Sequence, residues 1–496
     1  MSSFKSVSIV SISFFIQTLS GIVFYLIIAR TLPVVEVGAI TLFLSFGGIF
    51  IVLFSLNLDT AFAHFVSYFF GETKQYSLPR FFLMIAAIMV GVSFGVTASL
   101  SHLISAVFFH SAIYTDLLIL MAGYISASIG LGYMVSILQG LQSFKLAAVS
   151  NIMYSVLSMG IPVGMSAFKA PLEIIAAGFV IGAVISFIAA LSFVLGRKVP
   201  VIATESGFDR KVFSYVIPVY LGSLASSLMG TIDRVILPAM TNLILSAVYT
   251  YSLTIATIVT AITSPFSFLL LPKISQALSA SNKKDSIIYT HGSMEFFYYI
   301  ALPASLGATV LSKPLLDVLV GGIYASHYMV LQIMVFSYSF FSFRPILSSI
   351  LLGNRKTKTY LYSGVAALII NLLLSITLIP LFGIYGAVAA SVSAWAASTI
   401  PRMVAVNALV DHSLSFVPYI RMWVNAFIMA GIVFIVAERF STGLLALFIP
   451  VMVGITAYIA LSIVNRPFSS GARELIRSII TSEHPLIHKI SLVLIG

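Results

Sequence analysis

Apolar stretches long enough to cross a lipid bilayer recur along this chain from its first residues to Asn465, which leaves it little choice of fold. A spanning helix needs about 20 such residues. Runs of that length, separated by charged or Pro/Gly-marked breaks, fall near 5–29, 37–69, 81–109, 113–138, 146–168, 172–196 and 212–239. Seven more fall near 243–271, 287–312, 325–352, 359–381, 383–409, 417–438 and 441–465. Hydrocarbon offers the backbone no hydrogen-bond partners, so each run must satisfy its own N–H and C=O groups as a helix. Composition agrees, with 60% hydrophobic and only 8% charged residues and a mean hydropathy of +1.10. A water-soluble chain carries about 25% charged residues. The expected fold is all-α, a polytopic transmembrane helical bundle of about fourteen spans.

The first run, opened by Lys5, is too long for a signal-peptide core and lacks a small-x-small cleavage pattern, so it reads as a retained span. The second is overlong and contains Asn57, Asp59 and His64, so it is expected to bend, tilt or pass beyond the bilayer. Orientation follows from the basic residues. With the N-terminus inside, twenty lie in inside loops and tails, Arg402 and Arg421 among them. Only Arg30, Lys169, Lys313 and Arg439 lie outside, while Arg234 and Arg344 fall within spans. That skew predicts a cell (cytoplasmic) membrane protein with both termini cytoplasmic. It also gives the net charge of +11 a use that needs no nucleic acid, since basic loops face anionic headgroups. The basic tail 466–496 is expected along that same membrane surface.

An internal comparison organises the spans. Ser136-Ile-Leu-Gln-Gly-Leu-Gln-Ser-Phe-Lys145 leaves the fourth, and Ser349-Ile-Leu-Leu-Gly-Asn-Arg-Lys-Thr-Lys358 leaves the tenth. More weakly, Leu19-Ser-Gly-Ile echoes Leu228-Met-Gly-Thr. Matches six spans apart cross in the same direction, as in parallel repeats. The chain thus divides into an N-lobe (1–196), a cytoplasmic linker (197–211), a C-lobe (212–409), two appended spans (410–465) and the tail. Two pseudo-symmetric six-helix lobes around a central cleft suit alternating access. No filter-like loop favours a channel.

An ionisable group inside a span is costly and is therefore a site candidate. Asp233 and Arg234 are neighbours in the seventh span and point about 100° apart. Either Arg234 lines the cleft while Asp233 pairs with another lobe element, or the two belong to a structural intramembrane ion pair. Arg344 precedes Pro345 inside the tenth, where proline invites a bend. Asp59 and His64, five residues apart, diverge around a helix and specify neither a metal site nor a proton relay. Glu295 begins the ninth span at headgroup level, and Arg30 ends the first, where it either snorkels or faces the cleft. The chain has no cysteine, P-loop, HExxH or nucleophile elbow, so no enzyme, metal or cofactor is expected. Its loops are too short for a catalytic or ATP-hydrolysing domain.

Several stretches resemble the Wzx-type polysaccharide biosynthesis, or oligosaccharide flippase, family of the multidrug/oligosaccharidyl-lipid/polysaccharide exporter superfamily. They are Ala29-Arg-Thr-Leu-Pro-Val-Val-Glu-Val-Gly38, Thr231-Ile-Asp-Arg234 and Gly353-Asn-Arg-Lys356. The most specific runs from Asn371 to Ile379-Pro-Leu-Phe-Gly-Ile-Tyr-Gly-Ala387. The usual Leu-Gly-Pro is Leu32-Pro33-Val34 here, without the glycine. The resemblance implies a flippase moving a polyprenyl- or dolichyl-(pyro)phosphate-linked oligosaccharide from the cytoplasmic to the outer leaflet. Membrane lipids and glycan polymerase or ligase components would be its partners. It also implies that Arg30, Arg234 and Arg344 read the substrate's anionic groups, with Asp233 beside them. Two alternatives stand: a cation-coupled exporter using Asp59, Asp233 or Glu295 as coupling carboxylate, and a non-transporting scaffold of a glycan-assembly complex.

Overall fold

Where the chain is apolar on every face, the computed structural model forms long helices. It describes residues 2–63, 66, 78–197, 200–202, 208–259, 283–354, 356–409, 415–440, 443–469 and 472–473. Among these, nine helices are long and apolar enough to cross a membrane, or ten if one bent pair counts as a single span. Each of the fourteen expected runs holds at least one helix. The chain divides into two compact units, Met1–Ala247 and Val248–Gly496.

In the first unit the helices are α1 (Ser2–Thr31), α2 (Val34–Ser55), α3 (Arg80–Phe108), α4 (Thr115–Gly140), α5 (Phe144–Ala167), α6 (Leu172–Gly196) and α7 (Phe208–Met240). A further helix, α8 (Leu243–Val259), crosses the boundary between units. Buried along nearly its whole length, α4 is the hub of this unit, as expected of a helix apolar all round. Phe24 of α1, Phe43 of α2 and Tyr124 of α4 converge on Phe179 of α6, with ring centroids 5.4 to 6.1 Å away. The overlong second run is broken rather than bent. Leu56 and Asn57 turn left-handed, at φ 48° and 54°, and the helix resumes at Leu58. The hydroxyl of Tyr133 donates to the Ser55 carbonyl at 3.0 Å, replacing a helical bond lost at the break. The only strand pairing among the described residues is a two-residue parallel ladder, Leu78–Pro79 with Val201–Ile202, joining two loops expected on one side of the membrane.

The second unit holds α9 (Lys283–Val310), α10 (Ser312–Leu319), α11 (Tyr328–Phe341), α12 (Arg344–Gly353), α13 (Thr357–Phe382), α14 (Ile384–Leu409), α15 (Val417–Arg439) and α16 (Leu445–Asn465). The short α10 turns 77° from α9, where the sequence suggested only a loop. The tenth run splits into α11 and α12 at Ser342–Phe343. Pro345 has no N–H, and its ring would clash with the Phe341 carbonyl in a continuous helix. Here too a tyrosine covers the break, Tyr298 donating to the Ser339 carbonyl at 2.6 Å, while its ring stacks on Phe343 at 4.3 Å. Met422, Ala426 and Met429 of α15 join Met294, Phe297 and Leu302 of α9 in one core, so the last helices pack into this unit.

Small residues let the backbones approach, the usual device where lipid removes the hydrophobic drive between helices. A Cβ on Gly182 of α6 would lie 2.5 Å from the Ser158 backbone nitrogen of α5. A Cβ on Gly38 would strike the Leu243 carbonyl, and one on Gly386 the Leu378 carbonyl. The Ile-Pro-Leu-Phe-Gly-Ile-Tyr-Gly run is therefore a hairpin: Gly383, at φ 56°, makes the turn and Gly386 lets α14 close on α13.

Gly182→Ala is expected to cost about 1–3 kcal/mol, because the obstacle is backbone and cannot rotate away. Gly164→Ala meets nothing within 4 Å and is expected to be neutral or stabilising. Thermal unfolding of the two variants in detergent checks the difference.

Candidate functional site

In hydrocarbon a guanidinium is tolerated when donors, rings or counter-charges replace its water. The first-unit candidates lie on α1 and α7. Asp233 is buried at 4% exposure and has interaction partners of its own. Arg234, beside it, is half-buried and fewer than two turns from the end of α7, not at mid-helix. Its Nε is buried without a hydrogen-bond acceptor among the described residues, and the guanidinium lies within electrostatic range of Tyr25 on α1. Arg30 is exposed in the last turn of α1. Asp59 sits at the restart of the broken second run, where its carboxylate accepts the Thr60 N–H at 2.9 Å. His64 lies outside the described residues.

The second unit concentrates positive charge more tightly. Arg344 opens α12 because the proline break places it there, and its guanidinium lies 5.3 Å from the centroid of the Trp395 ring. Tyr338 packs against the same ring at 4.8 Å and hydrogen-bonds Arg344. Arg402, two turns from the end of α14, is only 6% exposed. Its Nε donates to Ser363 Oγ and its Nη1 to Ser348 Oγ, both at 2.8 Å, and its guanidinium covers the Tyr360 ring at 4.8 Å. Ser348 donates in turn to the Arg344 carbonyl at 2.7 Å, so one serine links the two arginines. The two cations also lie within electrostatic range of each other.

Every partner found for Arg402 is neutral, and no carboxylate reaches Arg344 or Arg402 among the described residues. Serines and aromatic faces orient a guanidinium but leave its charge uncompensated. The two leave positive charge without a counter-ion among the described residues, and planar N–H forks of this kind match phosphate oxygens in geometry. Arg402, expected from the sequence in an inside loop, lies instead within α14. The bounds of the twelfth run, 383–409, already enclosed it, and that was the signal to follow.

Glu295 stands apart from this cluster. It is 2% exposed, and its Oε2 accepts the Ser469 N–H at 2.8 Å, with Arg473 in electrostatic range. Phe468 packs on Tyr299 at 4.7 Å. Glu295 therefore fastens the segment that leaves α16 onto α9. Of the basic tail expected along the membrane, residues beyond 473 lie outside the described residues. No group of three or more His, Asp or Glu able to hold a metal occurs among the described residues.

Comparison with known proteins accords with this architecture. The family model described as polysaccharide biosynthesis protein matches residues 3–278. An uncharacterized membrane protein of Methanocaldococcus jannaschii is 26% identical over 181 residues, which is 36% of this chain and 42% of that relative. Among solved structures, the lipid II flippase MurJ in an inward closed conformation aligns with a TM-score of 0.68 and 16% identity, covering 92% of this chain and 98% of its own. An inward-facing multidrug resistance MATE family transporter of the MOP superfamily aligns with a TM-score of 0.63 and 13% identity, covering 80% and 96%. The chain shares its fold with that lipid II flippase and with that MATE transporter.

Replacing Ser348 and Ser363 together by alanine leaves the Arg402 donors buried without acceptors, an expected loss of about 1–3 kcal/mol. Adding Arg402→Met removes the orphaned charge and is expected to restore most of that stability. A thermal-unfolding cycle across the variants measures the coupling.

Proposed function

We propose that this chain, which belongs to the polysaccharide biosynthesis protein family, flips a polyprenyl- or dolichyl-(pyro)phosphate-linked oligosaccharide across the cell membrane. The direction is from the cytoplasmic to the outer leaflet, by alternating access. The observation that carries this reading is the pair of half-buried Arg344 and buried Arg402, without a carboxylate partner among the described residues, in a transporter fold. A lipid-linked phosphate is the anionic end of a molecule that already resides in the bilayer. Bidentate guanidinium contacts would hold that phosphate while the glycan crosses. Arg234, with its buried Nε lacking an acceptor among the described residues, supplies a further cation in the first unit, and Asp233 supports it from the neighbouring position.

The reading places both termini in the cytoplasm, because the basic loops then face anionic lipid headgroups. It takes 1–196 and 212–409 as the moving lobes and 410–465 as an addition to them. The longer match to MurJ than to the MATE transporter, 92% against 80% of this chain, supports such an addition. Glycan polymerase or ligase components are the partners that would consume the flipped product.

The test is leaflet exchange of a fluorescent polyprenyl-diphosphate-linked sugar in proteoliposomes. Wild type is expected to exchange it, and Arg344→Ala or Arg402→Ala to slow exchange at least tenfold, since each removes about 1.5–3 kcal/mol of charge-assisted hydrogen bonding. Arg234→Ala is expected to show a smaller loss. If wild type exchanges nothing but extrudes a cationic dye along a proton or sodium gradient, and Asp233→Ala abolishes that extrusion, the exporter reading replaces this one.

A further inference from the structure

The hairpin of α15 and α16 carries a second, unrelated concentration of positive charge. These helices leave a groove of about 490 Å³ between them, with Val424, Ile428 and Ile432 on one wall and Ala457, Ala460 and Leu461 on the other. The first wall repeats every fourth residue, so it is one continuous helix face. The alanines opposite create the hollow. One end of the groove is polar: Asn465 Nδ2 donates to Asn425 Oδ1 at 3.0 Å. Asn425 is 2% exposed and also lines the groove, yet its Nδ2 is buried without an acceptor. No acceptor reaches that donor among the described residues.

Two arginines stand at the same end. Arg421 lies one turn before Asn425, on the same face of α15, and donates through Nη1 to the Arg466 carbonyl at 3.1 Å. Arg466 follows Asn465 directly and ends α16 in a left-handed turn, at φ 42°. Both side chains are exposed, and neither forms an ion pair among the described residues. An apolar trough that ends in two exposed arginines without a carboxylate partner among the described residues matches the outline of one molecule: a hydrocarbon chain joined to an anionic phosphate.

We propose that this end of the α15–α16 hairpin binds an anionic glycerophospholipid. One acyl chain lies in the groove, and the phosphate oxygens accept from Arg421 and Arg466. The site does not depend on the transport reading, since its residues are separate from Arg344 and Arg402. It serves as a fixed anchor of the hairpin to the leaflet that its basic end faces. A headgroup without net charge fills the groove equally well but leaves the two guanidinium groups uncompensated.

Native mass spectrometry of the full-length protein in detergent, titrated with dioleoyl phosphatidylglycerol or dioleoyl phosphatidylcholine, tests this. Each arginine near anionic lipid is expected to contribute about fivefold, so the first phosphatidylglycerol should bind roughly 25-fold tighter than phosphatidylcholine. The double variant Arg421→Gln/Arg466→Gln should lose that preference. Arg439→Gln, at the other end of α15, should keep it. Ala460→Phe fills the groove and should weaken both lipids, with Ala457→Phe as a second filling variant if the first unfolds on heating. Equal binding of the two lipids, or loss of the preference in Arg439→Gln, overturns the site. Glycerol 3-phosphate competing as well as the phospholipid would mean that the groove takes no chain. Polyprenyl phosphate binding more tightly than phosphatidylglycerol would assign the groove to a carrier lipid instead.

Discussion

A bilayer interior offers no hydrogen bonds, and this structure follows from that one deficiency. It forces each apolar run into a helix that satisfies its own backbone. It removes the hydrophobic drive between helices, so close contact through small residues must take its place. Gly182 against Ser158 and Gly386 against Leu378 are contacts of that kind. It also turns serines inward, where they donate to carbonyls of their own helix, as Ser45 does to Thr41 and Ser305 to Ala301. Hydroxyls that would cost several kcal/mol if left bare in hydrocarbon thereby become neutral packing units.

The same deficiency explains how the chain treats its helix breaks. A break frees backbone groups, and at membrane depth these must be covered from outside the helix. Both interrupted runs solve this in one way. Tyr133 of α4 covers the Ser55 carbonyl at the break after α2, and Tyr298 of α9 covers the Ser339 carbonyl at the break between α11 and α12. In each case a buried aromatic ring supplies packing and its hydroxyl supplies the missing bond. The breaks are thus tied to neighbouring helices. One of them fixes the start of α12, and with it the position of Arg344.

Most of the helices were legible in the sequence because hydropathy and length are local properties. Two kinds of feature were not. The left-handed break at Leu56–Asn57 carries neither proline nor glycine, and its one local signal is Asn57, a residue that tolerates the left-handed region, beside the excess length of the run. The placement of charges was harder still, since a basic residue near the end of an apolar run reads equally as a loop residue or a buried one. Arg402 was read as a loop cation, but its serine and tyrosine partners come from α12 and α13, about 40 to 55 residues away. Glu295 gave the opposite difficulty. A carboxylate at headgroup level needs no explanation in sequence, whereas its bond to Ser469, 174 residues away, exists only in the folded unit.

The choice of partners around Arg344 and Arg402 is itself informative. A carboxylate would neutralise either arginine more cheaply than serines and rings do, yet none reaches them among the described residues. A permanent counter-ion would hold the guanidinium so well that an incoming anion would have to displace it. Neutral partners fix the direction of the N–H forks and cover the apolar faces, leaving the charge itself available. The cost is a resting state with two like charges near each other in a low dielectric, which any bound phosphate relieves. That differential matters for transport, because a ligand shifts a conformational equilibrium only by as much as its affinity differs between the two states. A site that is strained when empty and relieved when filled has such a difference to offer, provided the pair is assembled in one state and parted in the other. On the proposed reading the pair to be parted is Arg344, beside the proline of α12, and Arg402, on the continuous helix α14.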